Sequence, residues 1–256
     1  MPQHILTLGS HGIPRLKVRR KPRIAILATG KEIVEVGEPL QSGQIWNSTA
    51  PFLKTALSAL GTDPTFYGIV KDDPEAFFQI MNRIFSDAPD VVITTGAVSV
   101  GKHDFIAQAL SDLKAQILFS KVAIRPGKPI LFAKLPQGPS FFGLPGNPVS
   151  TAVGMRFFVV PFLRKMLGQA QEKPWTALLE KSARKPEGFR CFFKARVESR
   201  RGALHVSILP GQSSFMISPL LEANAWAVLP EEAKSIQEGT PLELFPLWKE
   251  SLCQAL

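Results

Sequence analysis

The apolar positions in the first two thirds of the chain form short runs that alternate with amphipathic stretches. Residues 24–28 and 90–95 are apolar runs that stop at a glycine, which is typical of strands buried on both faces. Residues 47–60 and 73–86 instead repeat apolar side chains at helical spacing after polar capping residues, which predicts helices. The same criteria predict further strands at residues 65–70, 117–119, 130–133 and 140–144, and further helices at residues 104–113 and 148–167.

Alternating strands and helices predict a parallel sheet that is covered by helices on both faces. After Gly168 the pattern changes to short alternating segments separated by glycine, proline and serine, which is typical of an antiparallel β structure. We therefore predict a three-layer α/β domain at residues 22–170 and a small all-β, barrel-like domain at residues 171–256. Residues 1–21 are predicted to be a lead-in segment.

The charge balance narrows the class of partner. Thirty basic residues against 21 acidic ones give a net charge of +9, which would suit a nucleic acid. However, the densest basic patch, residues 17–23, has no interleaved aromatic side chains, and the other charges are scattered. Because a positive field serves a small phosphorylated ligand equally well, we expect no nucleic-acid partner.

The apolar segments and the two cysteines indicate the cellular compartment. No apolar run approaches the roughly 20 residues of a membrane span, and no apolar segment follows a basic start as in a secretory signal. Cys191 and Cys253 lie far apart without metal-type spacing, so two free thiols are favoured over a disulfide. We expect a cytoplasmic protein without a membrane partner.

Ligands of parallel α/β sheets bind beyond the carboxyl ends of the strands. Four loops of this chain are predicted to meet there, at residues 29–32, 71–74, 94–104 and 143–150. The loop at residues 94–104 has small, flexible residues between a strand and a helix, so its backbone N–H groups can approach an anion. Its candidate ligand-binding residues are Thr95, Gly96, Ser99 and Gly101. A tight strand-to-helix turn without a ligand is the alternative interpretation.

Three carboxylates follow different strands in the same set of loops. Glu32, Asp72 and Asp104 could therefore converge, and converging carboxylates favour a hard divalent cation such as Mg²⁺. Asp104 also suits the N-cap of the helix that it precedes. Asp73, which is followed by Pro74, is predicted to be a helix cap.

Two further loops are candidates for binding an anion. Residues 120–129 place Lys121, Arg125 and Lys128 in eight positions among two prolines and a glycine, which suits an oxyanion or a pyrophosphate. The loop at residues 143–150 also joins a strand to a helix. Its candidate binding residues are Pro145, Gly146, Asn147 and Ser150. A solvated loop and a simple turn, respectively, are the alternatives.

The loop motifs resemble, in order and spacing, the third domain of molybdopterin molybdenumtransferases, the family of the bacterial enzyme and the E domain of gephyrin. The motifs are TGKE, GEPL with GQIW, KDDP, TTGAVSVGKHDF, KVAIRPGKP and GLPGNPVS. The tail, including residues 211–214, resembles the β-rich fourth domain of that family, and residues 8–23 resemble the segment that leads into the third. The first two domains of the family have no counterpart in the sequence.

The resemblance implies insertion of molybdate into adenylylated molybdopterin, with release of AMP and help from a divalent metal. Glu32, Asp72 and Asp104 match acidic active-site positions, and Lys121 and Arg125 match basic ones. Ser214 or its neighbour matches a serine of the fourth domain. The carboxylates would hold Mg²⁺ and the cations would hold molybdate. As partner we expect either a second copy of the chain, in a homodimer, or a separate polypeptide that supplies the missing N-terminal domains.

Four departures from the family pattern leave two alternatives open. Lys31 replaces an aspartate, Ala97 a glycine and Arg125 a lysine, and Asn47 opens a segment that reads Asp-x-Asn in the family. The first alternative is a module that binds molybdopterin without catalysis, or a half-enzyme that needs a partner. The second is a molybdopterin adenylyltransferase, although that family has a T-G-G-T-G loop and no β domain.

Overall fold

The computed structural model describes residues 2–97, 105–136 and 138–248. The helices are α1 (Pro2–Ser10), α2 (Thr49–Ala59), α3 (Pro74–Ser86), α4 (Phe105–Asp112), α5 (Pro148–Gly154) and α6 (Val160–Met166). The strands before residue 170 are β1 (Arg23–Thr29), β2 (Ile33–Val34), β3 (Ile45–Trp46), β4 (Asp63–Val70), β5 (Val91–Thr95), β6 (Gln116–Ser120), β7 (Ile124–Arg125), β8 (Leu131–Lys134) and β9 (Ser140–Leu144). The later strands are β10 (Trp175–Leu179), β11 (Ala183–Arg184), β12 (Arg190–Arg200), β13 (Ala203–Ile208), β14 (Ala225–Leu229), β15 (Ser235–Ile236) and β16 (Pro241–Pro246).

The first domain is built on a six-stranded sheet in the order β4-β1-β5-β9-β8-β6. The four strands from β4 to β9 are parallel, while β8 is antiparallel to both β9 and β6. The prediction of a parallel sheet is therefore wrong for β8. The connection between β8 and β9 is only five residues long, and such a short link can join only antiparallel strands.

Helices cover both faces of this sheet, as the predicted three-layer arrangement requires. One face packs against α2 and the long helix at residues 148–166 through side chains such as Leu53 and Val153. The other face packs against α3 and α4 through Phe77 and Leu110. The strands between them are almost wholly buried, which explains their continuous apolar runs.

The helices agree with the sequence prediction at one point and differ from it at two. The Asp73 carboxylate accepts hydrogen bonds from the backbone N–H groups of Glu75 at 3.0 Å and Ala76 at 3.4 Å, so the predicted cap of α3 is confirmed. The predicted single helix over residues 148–167 is instead interrupted by a π-helical segment, Met155–Val159, just before Pro161, which has no N–H to donate. Helix α1 was not predicted, and none of its residues is buried.

The second domain closes into a barrel, as predicted. Its strands run β13-β10-β16-β14-β12, and β13 also pairs with β12, which joins the two edges. Strand β7 of the first domain adds to the barrel by pairing in parallel with β12. A barrel closed in this way leaves few unpaired strand edges.

The two domains share one apolar core. Phe157 of the π-helical segment stacks on Phe192 of the barrel, with ring centroids 4.0 Å apart. Beside this pair, buried Arg156 donates through Nε to the backbone oxygen of Pro246 at 3.0 Å and pairs with Glu172 at 2.7 Å. The orientation of the barrel on the α/β domain is thus fixed by both packing and hydrogen bonds.

The cysteines and the apolar segments were the subject of two predictions from the sequence. Cys191 is a free thiol that is buried in the barrel, and burial raises its pKa; Cys253 lies outside the described residues. In the part of the chain that is described, no helix is long and apolar enough to cross a membrane.

Candidate functional site

The carboxyl ends of β1, β4, β5 and β9 meet at one edge of the sheet. Thr29 is level with Val70 of β4, and Thr95 is level with Leu144 of β9. A cavity of about 350 Å³ lies over this edge, and we call it the acidic cavity. Its lining residues are Thr29, Gly30, Glu32, Ile33, Ile45, Trp46, Asn47, Ser48, Thr49, Asp72, Gly96, Ala97, Gly146, Asn147 and Pro148.

The floor of the acidic cavity depends on Gly96. Its N–H donates to the Leu144 carbonyl at 3.0 Å, and its φ of +89° lies in the left-handed region. A Cβ atom at this position would lie 2.2 Å from the Thr29 backbone oxygen, closer than any real contact. Only glycine therefore lets the loop after β5 cross the end of β1 so closely.

Two of the three predicted metal-binding carboxylates line this cavity. Glu32 is exposed, and Asp72 is half-buried at a backbone φ of +28°, where its N–H donates to the Val70 carbonyl. The third, Asp104, lies outside the described residues. Among the residues that are described, no three His, Cys, Asp or Glu side chains are grouped to hold a metal. Glu32 and Asp72 still fit Mg²⁺, which proteins commonly bind through one or two carboxylates plus substrate phosphates.

Asn47 contributes a feature that we did not predict as part of the site. Its side-chain oxygen accepts hydrogen bonds from the Ala50 N–H at 3.1 Å and the Thr49 hydroxyl at 3.3 Å, which fixes the orientation of the amide. The amide nitrogen, Nδ2, is buried and has no hydrogen-bond partner. A buried donor without an acceptor costs roughly 1–3 kcal/mol, so Asn47 presents a donor that a bound oxygen would satisfy.

Thr95 supports the cavity from below. Its hydroxyl lies 3.1 Å from that of Thr49, and its backbone oxygen accepts a hydrogen bond from the Thr29 hydroxyl at 3.1 Å. Thr95 is buried and is not among the lining residues. The structure therefore places this predicted binding residue one layer beneath the cavity.

A second cavity, of about 640 Å³, lies between the two domains, and we call it the basic cavity. Arg125 and Lys128 are its charged lining residues, and none of its lining residues is acidic. Its other lining residues are Ile124, Pro126, Gly127, Pro129, Pro145, Asn147, Ser150, Pro186, Phe189, Phe193, Gln212, Ser213, Ser214 and Phe215. The predicted residues Lys128, Pro145, Ser150 and Ser214 thus come together here.

The remaining predicted residues are distributed differently. Lys121 is exposed in the turn after β6, and it is not among the lining residues of either cavity. Gly146 lines the acidic cavity, whereas Ser99 and Gly101 lie outside the described residues. Asn147 lines both cavities, so the two adjoin at this residue.

Several lining residues of the second domain were missed from the sequence. The loop at residues 186–189 contributes Phe189, whose ring centroid lies 6.0 Å from the Lys128 ammonium. The loop at residues 212–215 contributes Gln212 and Phe215. The only available signal was the resemblance of residues 211–214 to the fourth domain of the family, which pointed to Ser214 or its neighbour but not to Gln212, Phe215 or Phe189.

Fold and site together define an α/β domain joined to a β barrel, with two cavities that adjoin at Asn147, and comparison with known families agrees on these two domains. Residues 25–165 match the family described as "Probable molybdopterin binding domain". Residues 176–247 match the "MoeA C-terminal region (domain IV)". The two matched regions coincide with the sheet domain and the barrel.

Full-length relatives narrow the class further. The chain is 40% identical over 245 residues to a molybdopterin molybdenumtransferase of Synechococcus elongatus, covering 95% of this chain and 60% of the relative. It is 35% identical over 249 residues to that of Haemophilus influenzae, covering 96% of this chain and 61% of the relative. A crystal structure of the molybdopterin biosynthesis MoeA protein of Pyrococcus horikosii superposes with a TM-score of 0.80 at 28% identity, covering 96% of this chain and 59% of that one.

The chain belongs to the molybdopterin molybdenumtransferase family. The family resemblance and the fold class inferred from the sequence are both confirmed. The chain spans about three fifths of the length of the curated relatives that it matches.

Proposed function

We propose that this chain binds adenylylated molybdopterin and takes part in the insertion of molybdate, with release of AMP. The observation that supports the proposal is a pair of adjoining cavities with different charge. One is lined by Glu32 and Asp72 and the other by Arg125 and Lys128, with Asn147 shared between them. Adenylylated molybdopterin has a phosphoanhydride, which would bind a metal ion, next to the part that would receive molybdate. Such a ligand needs an acidic region and a basic region side by side.

The acidic cavity would bind the phosphoanhydride and Mg²⁺. Glu32 and Asp72 would hold the cation, together with Asp104 from outside the described residues, and the cation supplies charge neutralisation to the phosphate oxygens. The Nδ2 group of Asn47 would donate to one of those oxygens, which would satisfy a donor that has no partner within the protein. An aspartate at residue 47 would instead place another negative charge beside the phosphates.

The basic cavity would bind molybdate and part of the pterin. Arg125 and Lys128 would compensate the charge of the oxyanion, and the Ser150 and Ser214 hydroxyls would donate to its oxygens. Phe189 and Phe215 provide apolar surface beside these groups. Because charge develops on oxygen as the P–O bond breaks, donors that are already in position would favour the reaction.

The two alternatives from the sequence have different support. A binding module without catalysis is favoured by Lys31, whose charge beside Glu32 opposes a bound cation. In that case a second copy or another polypeptide would complete the site. An adenylyltransferase is disfavoured because the barrel forms one wall of the basic cavity and has no counterpart in that family.

The test is calorimetric titration of the purified chain with molybdopterin and its adenylylated form, each with and without Mg²⁺ and molybdate. Released AMP would be measured by chromatography in the same samples. We expect binding of the adenylylated form that is tightened by Mg²⁺, and AMP release that depends on molybdate. Binding without AMP release would support the binding module, and absence of binding would contradict both.

Matched variants locate the site. Asp72→Asn and Glu32→Gln remove a charge while keeping the side-chain shape, and each is expected to weaken the Mg²⁺ effect at least tenfold. Glu35→Gln is the control, because Glu35 is an exposed acid close in sequence that lines neither cavity. Equal effects of all three changes would show that only the overall charge matters, which would contradict the proposed metal site.

A further inference from the structure

One wall of the basic cavity rests on a buried cation that has no carboxylate partner among the described residues. Lys194 lies on β12 and is fully buried, with 0% of its surface exposed. Its ammonium group donates to the backbone oxygens of Gly211 at 2.6 Å, Met216 at 2.9 Å and Ser213 at 3.4 Å. These three acceptors match the three donors of a lysine ammonium and compensate part of the cost of burying its charge.

All three acceptors belong to the segment at residues 211–216, which we call the wall loop. Gln212, Ser213, Ser214 and Phe215 of this loop line the basic cavity, whereas Lys194 does not. Carbonyl oxygens that bind a fully buried ammonium are turned towards the interior of the domain. The wall loop therefore keeps three partial negative charges away from the cavity, which suits an anionic ligand.

Further hydrogen bonds tie the wall loop to both domains. The Gln212 side chain accepts from the backbone N–H of Lys194 at 2.9 Å and donates to the backbone oxygen of Lys194 at 2.9 Å. The backbone oxygen of Ser214 accepts from the N–H of Val149, in the first turn of α5, at 3.1 Å. The loop thus connects the strand that carries Lys194 to the helix that carries Ser150.

We propose that Lys194 is a positioning residue that holds the wall loop with its carbonyl oxygens inward and so makes the basic cavity competent to bind an oxyanion. The proposal rests on the proposed function for the identity of that oxyanion, molybdate. Lys194 itself makes no contact with the ligand. Its effect is exerted through Ser213, Ser214 and Gln212.

Two measurements on the full chain test this role. Hydrogen–deuterium exchange would follow the amides of residues 211–216 and of Val149, and titration calorimetry would measure molybdate affinity. In Lys194→Met we expect exchange at least tenfold faster in these amides alone and molybdate binding at least tenfold weaker. Lys194→Arg, which keeps the charge and the donors, is expected to recover much of both properties.

The controls separate local from general effects. Lys181→Met removes an exposed lysine of the same domain and is expected to change neither measurement. If Lys194→Met does not fold, Lys194→Gln replaces it, because glutamine keeps hydrogen-bond donors but removes the charge. Unchanged exchange of the wall loop in Lys194→Met or Lys194→Gln would overturn the proposal. Absence of molybdate binding in the unmodified chain would count against the proposed function, and the exchange data would still decide the role of Lys194.

Discussion

Gly96 shows how a single backbone position determines the acidic cavity. In Gly96→Ala the new Cβ atom would meet the Thr29 oxygen at 2.2 Å, and the left-handed φ of +89° would add strain. Since neither backbone can yield without distorting the sheet edge, we expect the free energy of unfolding to fall by about 3 kcal/mol or more. Urea denaturation would measure this loss.

The matched control for this change is Gly61→Ala. Gly61 also has a positive φ, +76°, but a Cβ atom there would have nothing within 4 Å. It therefore measures the conformational cost alone, which is expected to be about 1 kcal/mol. Equal losses in the two variants would show that the close approach to Thr29 is unimportant.

Lys194 predicts a pH dependence of stability. Burial lowers the pKa of Lys194 below its ordinary value of 10.5, so the unfolded chain binds more protons than the folded chain between the two pKa values. In that window, stability rises with pH, and below the lowered pKa the contribution is constant. The free energy of unfolding of the unmodified chain minus that of Lys194→Met should increase as the pH is raised towards 10.5. A difference independent of pH would contradict a shifted lysine.

From the sequence, the two carboxylates of the acidic cavity were predicted, but the Asn47 side chain was not. Glu32 and Asp72 were found because each follows a segment that the sequence predicts to be a strand, and β1 and β4 are indeed adjacent in the sheet. Asn47 was not, because its place depends on the pairing of β2 with β3, two strands of only two residues each. Elements this short have no periodicity, so the apolar pattern does not show that they bring Asn47 back over the sheet edge, and only the likeness to the Asp-x-Asn segment of the family drew attention to this residue.

At the scale of elements, adjacent aspartates are predicted to have separable roles. Asp73→Ala removes the two hydrogen bonds that cap α3, and we expect the free energy of unfolding to fall by about 1 kcal/mol. Asp72→Asn leaves the cap intact, so its stability should change by less than about 0.5 kcal/mol while its Mg²⁺-dependent binding weakens. Thermal denaturation and calorimetry of both variants would check this division. A larger stability loss in Asp72→Asn than in Asp73→Ala would contradict it.

The direction of β8 shows what apolar patterning leaves open. A buried strand has the same apolar run whether it is parallel or antiparallel to its neighbours. The length of the connection between β8 and β9 distinguishes the two directions. Residues 135–139 are too few for the crossover that a parallel neighbour needs. Helix α1 escaped prediction for a different reason: it buries no side chain, so no apolar face is required of it.

At the scale of the whole molecule, the sequence predicted two domains but not the core and the strand pairing that join them. The change of pattern after Gly168 correctly indicated a second architecture, yet strand β7, two residues long, lies in the first part of the chain and pairs with β12 of the barrel. The buried core likewise joins Phe192 and Trp226 to side chains of the α/β domain. Because the basic cavity is formed by both domains, its existence depends on this junction.

The junction predicts that the described domains unfold as one cooperative unit. Phe157 stacks on Phe192 and lies edge-on to Phe245 at a centroid distance of 5.4 Å, so Phe157→Ala would leave a void between the domains. Because Phe157 is only partly buried, we expect the free energy of unfolding to fall by about 2–3 kcal/mol. Leu221→Ala, which removes a side chain that is 91% exposed, is the control and should change stability by less than about 0.5 kcal/mol.

Two probes would show whether the domains remain coupled. Tryptophan fluorescence reports the barrel through buried Trp226 once Trp46, Trp175 and Trp248 are replaced by phenylalanine in every chain compared, and far-ultraviolet circular dichroism reports the helices of the α/β domain. In the unmodified chain the two urea transitions should coincide, because unfolding either domain exposes the shared core. In Phe157→Ala both midpoints should fall, and a separation between them would show that this stacked pair couples the domains. Separate transitions already in the unmodified chain would mean that one domain stays folded after the other has unfolded, which would contradict a single cooperative unit.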